Sequence, residues 1–93
     1  MAKNYNYVFI FYDMNVDRVH KAFKICKKYL VHYQKSIFRG AITTANLIKL
    51  RNELKSIVEP TEDYICILKM ISDNVFDEET LGGKPETAEN LFL

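Results

Sequence analysis

Asp13 ends the run Phe9-Ile10-Phe11-Tyr12 and stands directly before a helix signal. A carboxylate displayed at a strand end suits metal ligation or acid–base work; the same place equally suits an Asx turn leading into a helix. One carboxylate alone makes a poor Mg²⁺ site, because such sites combine one or two carboxylates with waters or substrate phosphates. A twofold axis near this strand end would change the count, letting two copies of Asp13 share one cation and relieving their repulsion. Arg18, Lys21, Lys24, Lys27, Lys28, Lys35 and Arg39 supply cations nearby in sequence, although a charged helix face is often only a solvated one. His20 and His32 lack metal-ligand spacing and read as surface or interface histidines. Ser36 has no local nucleophile motif. Cys26 and Cys66 either pair or, as expected for an unexported chain, act as small buried hydrophobes. No CxxC, HExxH or Gly-rich phosphate loop occurs, which argues against the familiar cofactor enzymes.

The elements that must position these residues follow from periodicity. Tyr5 to Tyr12 alternates as Tyr7, Phe9, Phe11 against Val8, Ile10, Tyr12, a strand apolar on both faces. Asn15 offers a helix cap. Val16, Val19, Phe23, Cys26 and Leu30 then form one stripe, widened by Ala22 and Tyr29, and the helix ends near Tyr29–Leu30. His32 to Ile42 reads as extended, with Gly40 marking a bulge or close backbone approach. Thr43 or Thr44 caps a second helix with the stripe Leu47, Leu50, Leu54, Ile57 and Val58, which Glu59-Pro60 ends. Asp63 to Ile71 is a strand with Tyr64, Cys66, Leu68 and Met70 on one face and Ile65, Ile67 and Ile71 on the other.

Counting the extended segment as a hairpin gives the split βαββαβ order of ferredoxin-like α+β folds, an antiparallel sheet with both helices on one face. Residues 1–71 form this core; residues 72–93, with Gly82-Gly83 and the apolar end Leu91-Phe92-Leu93, form a tail. The uncovered sheet face is apolar, and such a patch usually marks an interface. Two copies stacked sheet to sheet about a twofold axis are expected.

Ninety-three residues and 48% apolar composition fit one globular domain. The longest apolar run, Tyr7 to Tyr12, is far too short to span a membrane. The opening residues lack the charged-then-apolar order of an export signal, so a cytoplasmic location is expected. The formal charge of +1 conceals a division. Residues 1–58 hold 11 Lys+Arg against 3 Asp+Glu, and residues 59–93 hold 2 against 9. The neutral total therefore does not exclude a polyanion partner.

The run Tyr7-Val8-Phe9-Ile10-Phe11-Tyr12-Asp13-Met14, followed by a basic helix, resembles the opening of the CRISPR-associated protein 2 family. Tyr33-Gln34-Lys35-Ser36-Ile37-Phe38-Arg39-Gly40 resembles that family's second block, with its Gln-x-Ser-x-Phe core, and Gly82-Gly83-Lys84-Pro85 is similar to a segment some members carry before a last strand. The resemblance implies a ferredoxin-like homodimer whose last segment, Asn90 to Leu93, pairs with the partner's sheet. It implies that Asp13 is the catalytic, metal-binding aspartate, one from each protomer, holding Mg²⁺. It further implies metal-dependent endonuclease activity on single-stranded RNA or double-stranded DNA. A second implied role is bridging integrase subunits (CRISPR-associated protein 1) during spacer acquisition.

Arg18, His20, Lys21, His32, Lys35 and Arg39 are then the nucleic-acid contacts, with Tyr12, Ser36 and Phe38 supporting the site. His20 and His32 stand where many members carry arginine. A neutral imidazole holds phosphate less well than a guanidinium, which weakens the nuclease reading more than the scaffold reading. The alternative is a ferredoxin-like regulatory domain or a toxin-type ribonuclease unrelated to CRISPR.

Overall fold

A computed structural model describes residues 5–71 and 76–82 of the chain. Six elements follow in order: β1 (Tyr7–Asp13), α1 (Val16–Tyr29), β2 (Val31–Gln34), β3 (Ile37–Ala41), α2 (Thr44–Ile57) and β4 (Tyr64–Met70). The strands form one antiparallel sheet in the order β2-β3-β1-β4. This is the ferredoxin-like arrangement expected from the element order. The expected last strand near residues 90–93 lies outside the described residues.

β1 sits inside the sheet, so its alternating side chains divide cleanly between two faces. Val8, Ile10 and Tyr12 are buried beneath the helices with Phe38 of β3, Ala22 and Cys26 of α1, and Leu50 and Leu54 of α2. Fully burying a side chain such as Phe38 or Ile10 contributes about 1.5–3 kcal/mol. Phe38 is the centre of an aromatic group: Tyr12 stacks at 6.4 Å, and Phe23 approaches edge-on at 5.1 Å. Burial raises the Tyr12 hydroxyl's pKa well above the ordinary tyrosine value and raises the Cys26 thiol to about 12. Both cysteines are free, and Cys26 is fully enclosed.

Local sequence explains the boundaries. Asn15 caps α1, its side-chain oxygen accepting from the Asp17 N–H at 2.9 Å. Thr43 caps α2 through the Asn46 N–H at 3.1 Å. Val16 departs from the expected stripe: it is 75% exposed, because it opens the helix before the first turn reaches the sheet. Gly40 answers to its backbone conformation rather than to a bulge or a close approach. Its φ of 156° is one that L side chains rarely adopt, whereas a Cβ there would meet Leu30 only at an ordinary 3.5 Å contact. The pairing irregularity falls elsewhere, between His32 and Gln34. Lys35 turns the β2–β3 hairpin with φ of 46°.

Candidate nucleic-acid interface and strand-end carboxylate

Asp13 ends β1 opposite Tyr64 of β4, exposed to solvent. Its backbone is fixed from the next turn of chain. Asp63, immediately before β4, accepts from the Asn15 N–H at 2.8 Å, from Arg18 Nε at 2.6 Å and Nη2 at 3.1 Å, and from the Glu59 N–H at 2.8 Å. The Asp63 side chain is wholly enclosed, and Arg18 adds a second ion pair to Glu62 at 2.7 Å. The Arg18 guanidinium holds the Asp63 carboxyl well below the usual carboxylate range, with the Asn15 and Glu59 amides reinforcing it. Arg18 is raised in turn by its two carboxylate partners. One carboxylate thus clips together the β1–α1 loop, the first turn of α1 and the approach to β4.

Among the described residues no three His, Cys, Asp or Glu side chains converge as a metal cage. The Asp13 side chain enters no hydrogen bond or ion pair among them, its backbone alone pairing with β4. A lone exposed carboxylate matches the donor set of a water-rich Mg²⁺ site and supplies half of a two-carboxylate one.

The remaining predicted contacts distribute over two surfaces. His20 and Lys21 are exposed on α1, and Lys35 is exposed at the hairpin turn. His20 also borders a depression of about 510 Å³ with Phe23, Lys24, Lys27 and Lys28. Lys27 Nζ stands 5.9 Å from the Phe23 centroid, and Lys28 is paired with Glu53. His32 is turned inward. Its ring lies 5.0 Å from both Phe23 and Phe38, its Nε2 donates to the Lys35 carbonyl at 2.8 Å, and its buried Nδ1 has no partner. Tyr12 and Phe38 are core residues behind the site. The Ser36 carbonyl accepts from the Tyr12 N–H at 3.2 Å, tying the hairpin turn to β1.

Arg39 lies on the opposite, outer face of the sheet, beside Phe9 in register. Its guanidinium pairs with Glu78, whose other oxygen accepts from the Tyr33 hydroxyl at 3.0 Å. Phe76 packs on the same face, 5.7 Å from Tyr7 and edge-on to Phe9 at 5.2 Å. Beyond this cover, Phe11, Tyr64 and Leu68 remain 36%, 59% and 51% exposed on the outer face of β1 and β4. Asp63, Tyr33 and Glu78 are the site-forming residues that sequence reasoning missed. The acidic balance after residue 58, set against a basic body, was the available signal for Asp63 and Glu78.

An antiparallel four-stranded sheet with two helices on one face, and an exposed carboxylate ending its first strand, make this a small ferredoxin-like α+β protein. Residues 6–78 match the family described as CRISPR associated protein Cas2, and the chain belongs to that family. It is 38% identical to the CRISPR-associated endoribonuclease Cas2 of Thermotoga maritima over 94% of this chain and 98% of the relative. It is 34% identical to CRISPR-associated endoribonuclease Cas2 2 of Archaeoglobus fulgidus over 82% and 83%. A solved structure described as "Crystal structure of cas2" superposes with a TM-score of 0.79 at 36% identity, covering 86% of this chain and 90% of that one. Streptococcus pyogenes Cas2 superposes with a TM-score of 0.68 at 27% identity, covering 82% and 99%. No helix among the described residues is long and apolar enough to cross a membrane.

Proposed function

We propose that this chain is a cytoplasmic CRISPR adaptation subunit that acts as a homodimer and binds double-stranded DNA while bridging integrase subunits. We further propose that the dimer is a Mg²⁺-dependent endonuclease on single-stranded RNA or double-stranded DNA. The observation carrying the nuclease reading is Asp13: exposed, its side chain unpartnered among the described residues, and standing at a strand end beside the Asp63 clip. The endoribonuclease names of the relatives support it.

The apolar outer face beyond the Phe76 cover supports a second copy stacking there. Paired Asp13 carboxylates at the dimer axis would hold the cation. Mg²⁺ so held supplies Lewis-acid polarisation of a phosphodiester and a nucleophilic water at neutral pH. The protein's own contribution is placement. The Asp63 clip fixes Asp13, while His20, Lys21, Lys35 and Arg39 hold the backbone phosphates without reading bases. Arg18, already neutralised by two carboxylates, contributes chiefly by fixing the loop. His32 contributes by holding the hairpin that presents Lys35.

Asp13→Ala tests both halves. Loss of Mg²⁺-dependent cleavage with duplex binding and integration retained is expected, and it would separate the nuclease from the scaffold. Full cleavage by a rigorously repurified Asp13→Ala protein would remove the nuclease assignment of this site. Unaltered cleavage after exhaustive chelation would remove the metal.

A further inference from the structure

β4 borders the sheet, and α2 covers its helix side only in part. Ile65, Ile67 and Lys69 stand opposite Tyr12, Ile10 and Val8 of β1, so all three point toward the helices. Ile10 is fully buried there, whereas Ile65 and Ile67 are only partly so. Two adjoining depressions of about 410 and 300 Å³ run between this row and α2, sharing Arg51, Ile65 and Ile67. Leu54 and Val58 complete the floor of one, and Leu47 with half-exposed Ile48 that of the other. The rim is cationic, with Arg51 and Lys55 from α2 and Lys69 from β4. Among the described residues no Asp or Glu lines either depression, and Arg51 and Lys55 enter no ion pair. Lys69 Nζ stands 5.4 Å from the Tyr5 ring centroid, at the far end.

An apolar trough edged by unpaired cations suits a partner that carries apolar side chains and carboxylates together. Its lining has no aromatic ring on which a nucleic-acid base could stack. Ile65, Ile67 and Lys69 repeat every 6.8 Å or so, about the spacing of alternate residues in an extended chain. From Ile65 to Lys69 the row is about 14 Å long, the reach of about five extended residues. The trough lies on the helix side of the sheet, so a second copy stacked on the outer face leaves it open. The acidic stretch at Glu78 is held on that outer face, by Arg39 of β3 and Tyr33 of β2, and stands on the wrong side to fill it.

We propose that the trough between α2 and β4 docks an extended, acidic segment of a separate protein. Apolar residues of that segment rest on Ile65 and Ile67, and its carboxylates meet Arg51 and Lys55. The proposal is independent of the nucleic-acid reading, because no residue of the trough is among the phosphate contacts assigned above.

The test pans a random peptide library displayed on phage against the full chain, with Arg51→Glu protein as the counter-selection. Enriched sequences should alternate apolar residues with Asp or Glu. A synthetic peptide of the enriched sequence should bind wild type, with its affinity measured by fluorescence anisotropy. Arg51→Glu and Ile48→Glu fall at exposed positions, and an unchanged melting temperature checks that both fold. Each should weaken the peptide about tenfold, the scale of a like-charge contact at a docking surface. Leu68→Glu, on the outer face, should bind the peptide as wild type does; loss of binding there would overturn the placement. Absence of acidic–apolar enrichment, or an enriched peptide indifferent to both trough variants, would overturn the proposal. Displacement of the peptide by duplex DNA or single-stranded RNA would make the trough a nucleic-acid surface and overturn it likewise. Equally tight binding of a synthetic peptide of residues 83–93 would make the occupant this chain's own end and overturn the separate partner.

Discussion

Arg18 on the first helix and Asp63 before the last strand meet at 2.6 Å, although 45 positions separate them in the chain. Asp63 is fully enclosed and spends its carboxylate on Arg18 and two backbone amides. The pair closes the end of the sheet at which Asp13 is displayed. It therefore links the stability of the fold to the placement of the exposed Asp13 carboxylate.

Asp63→Asn should lower the melting temperature by roughly 5–10 °C, since it disrupts an enclosed hydrogen-bonded ion pair in a small domain. Calorimetry checks the shift. Mg²⁺ affinity, measured by titration at a temperature where the variant is fully folded, should fall as well because Asp13 loses its fixed frame. Asp13→Ala should lower that affinity with little change in melting temperature.

Acid should unfold the protein partly through the same group. Its native pKa is depressed, so its stabilising contribution is complete above the ordinary carboxylate range near about 4. It declines as pH falls below that range and is gone once pH passes the native value. Glu53 and Glu78, lowered by Lys28 and Arg39 respectively, add to the trend with the same sign. Melting temperature followed from pH 7 downward should drop more steeply in wild type than in Asp63→Asn, and the two curves should converge at the acid end.

Phe38→Ala should cost about 3–5 kcal/mol, the range for emptying an enclosed aromatic position. Tyr12, Phe23 and His32 all pack on this ring, so the vacancy cannot be filled by one neighbour. Urea unfolding with an unchanged m-value would confirm that the loss lies in packing.

Leu68→Glu or Tyr64→Glu should prevent self-association while leaving the fold intact. Both side chains are already more than half exposed in the single chain, so the added charge harms only a stacked pair. Sedimentation velocity at micromolar concentration distinguishes a 10.9 kDa species from its dimer. A wild-type monomer there would count against the homodimer.

Lys21→Ala and Lys35→Ala should each weaken duplex binding about equally on unrelated sequences. Each should also flatten the log–log salt slope by about 0.9, as expected for contacts to backbone phosphate alone.

The element order and the display of Asp13 were legible because they depend on local periodicity. Tyr7-Phe9-Phe11 against Val8-Ile10-Tyr12 requires a strand inside a sheet, and Asn15 and Thr43 mark where helices begin. The chemistry of Arg18, His32 and Arg39 was less legible. Each looks like a free cation or ring in sequence, yet Arg18 faces Asp63, His32 enters the Phe23–Phe38 group and Arg39 meets Glu78. Two of those partners lie 39 and 45 positions away, and only the closing of the sheet brings them together. His32 misled for another reason: it pairs directly with buried Phe38, so its ring falls on the same helix-covered face of the sheet.

The unequal surroundings of the two thiols have a practical consequence. Cys26 is sealed in the core with its thiol raised to about 12, which leaves almost no thiolate to react. Cys66 is only partly enclosed, opposite Phe11 in the sheet register. An alkylating dye will therefore mark the native protein at one position, on the strand that borders its uncovered side. Labelling at Cys66 should therefore slow if a second copy stacks on that face, with no engineered cysteine needed to read it.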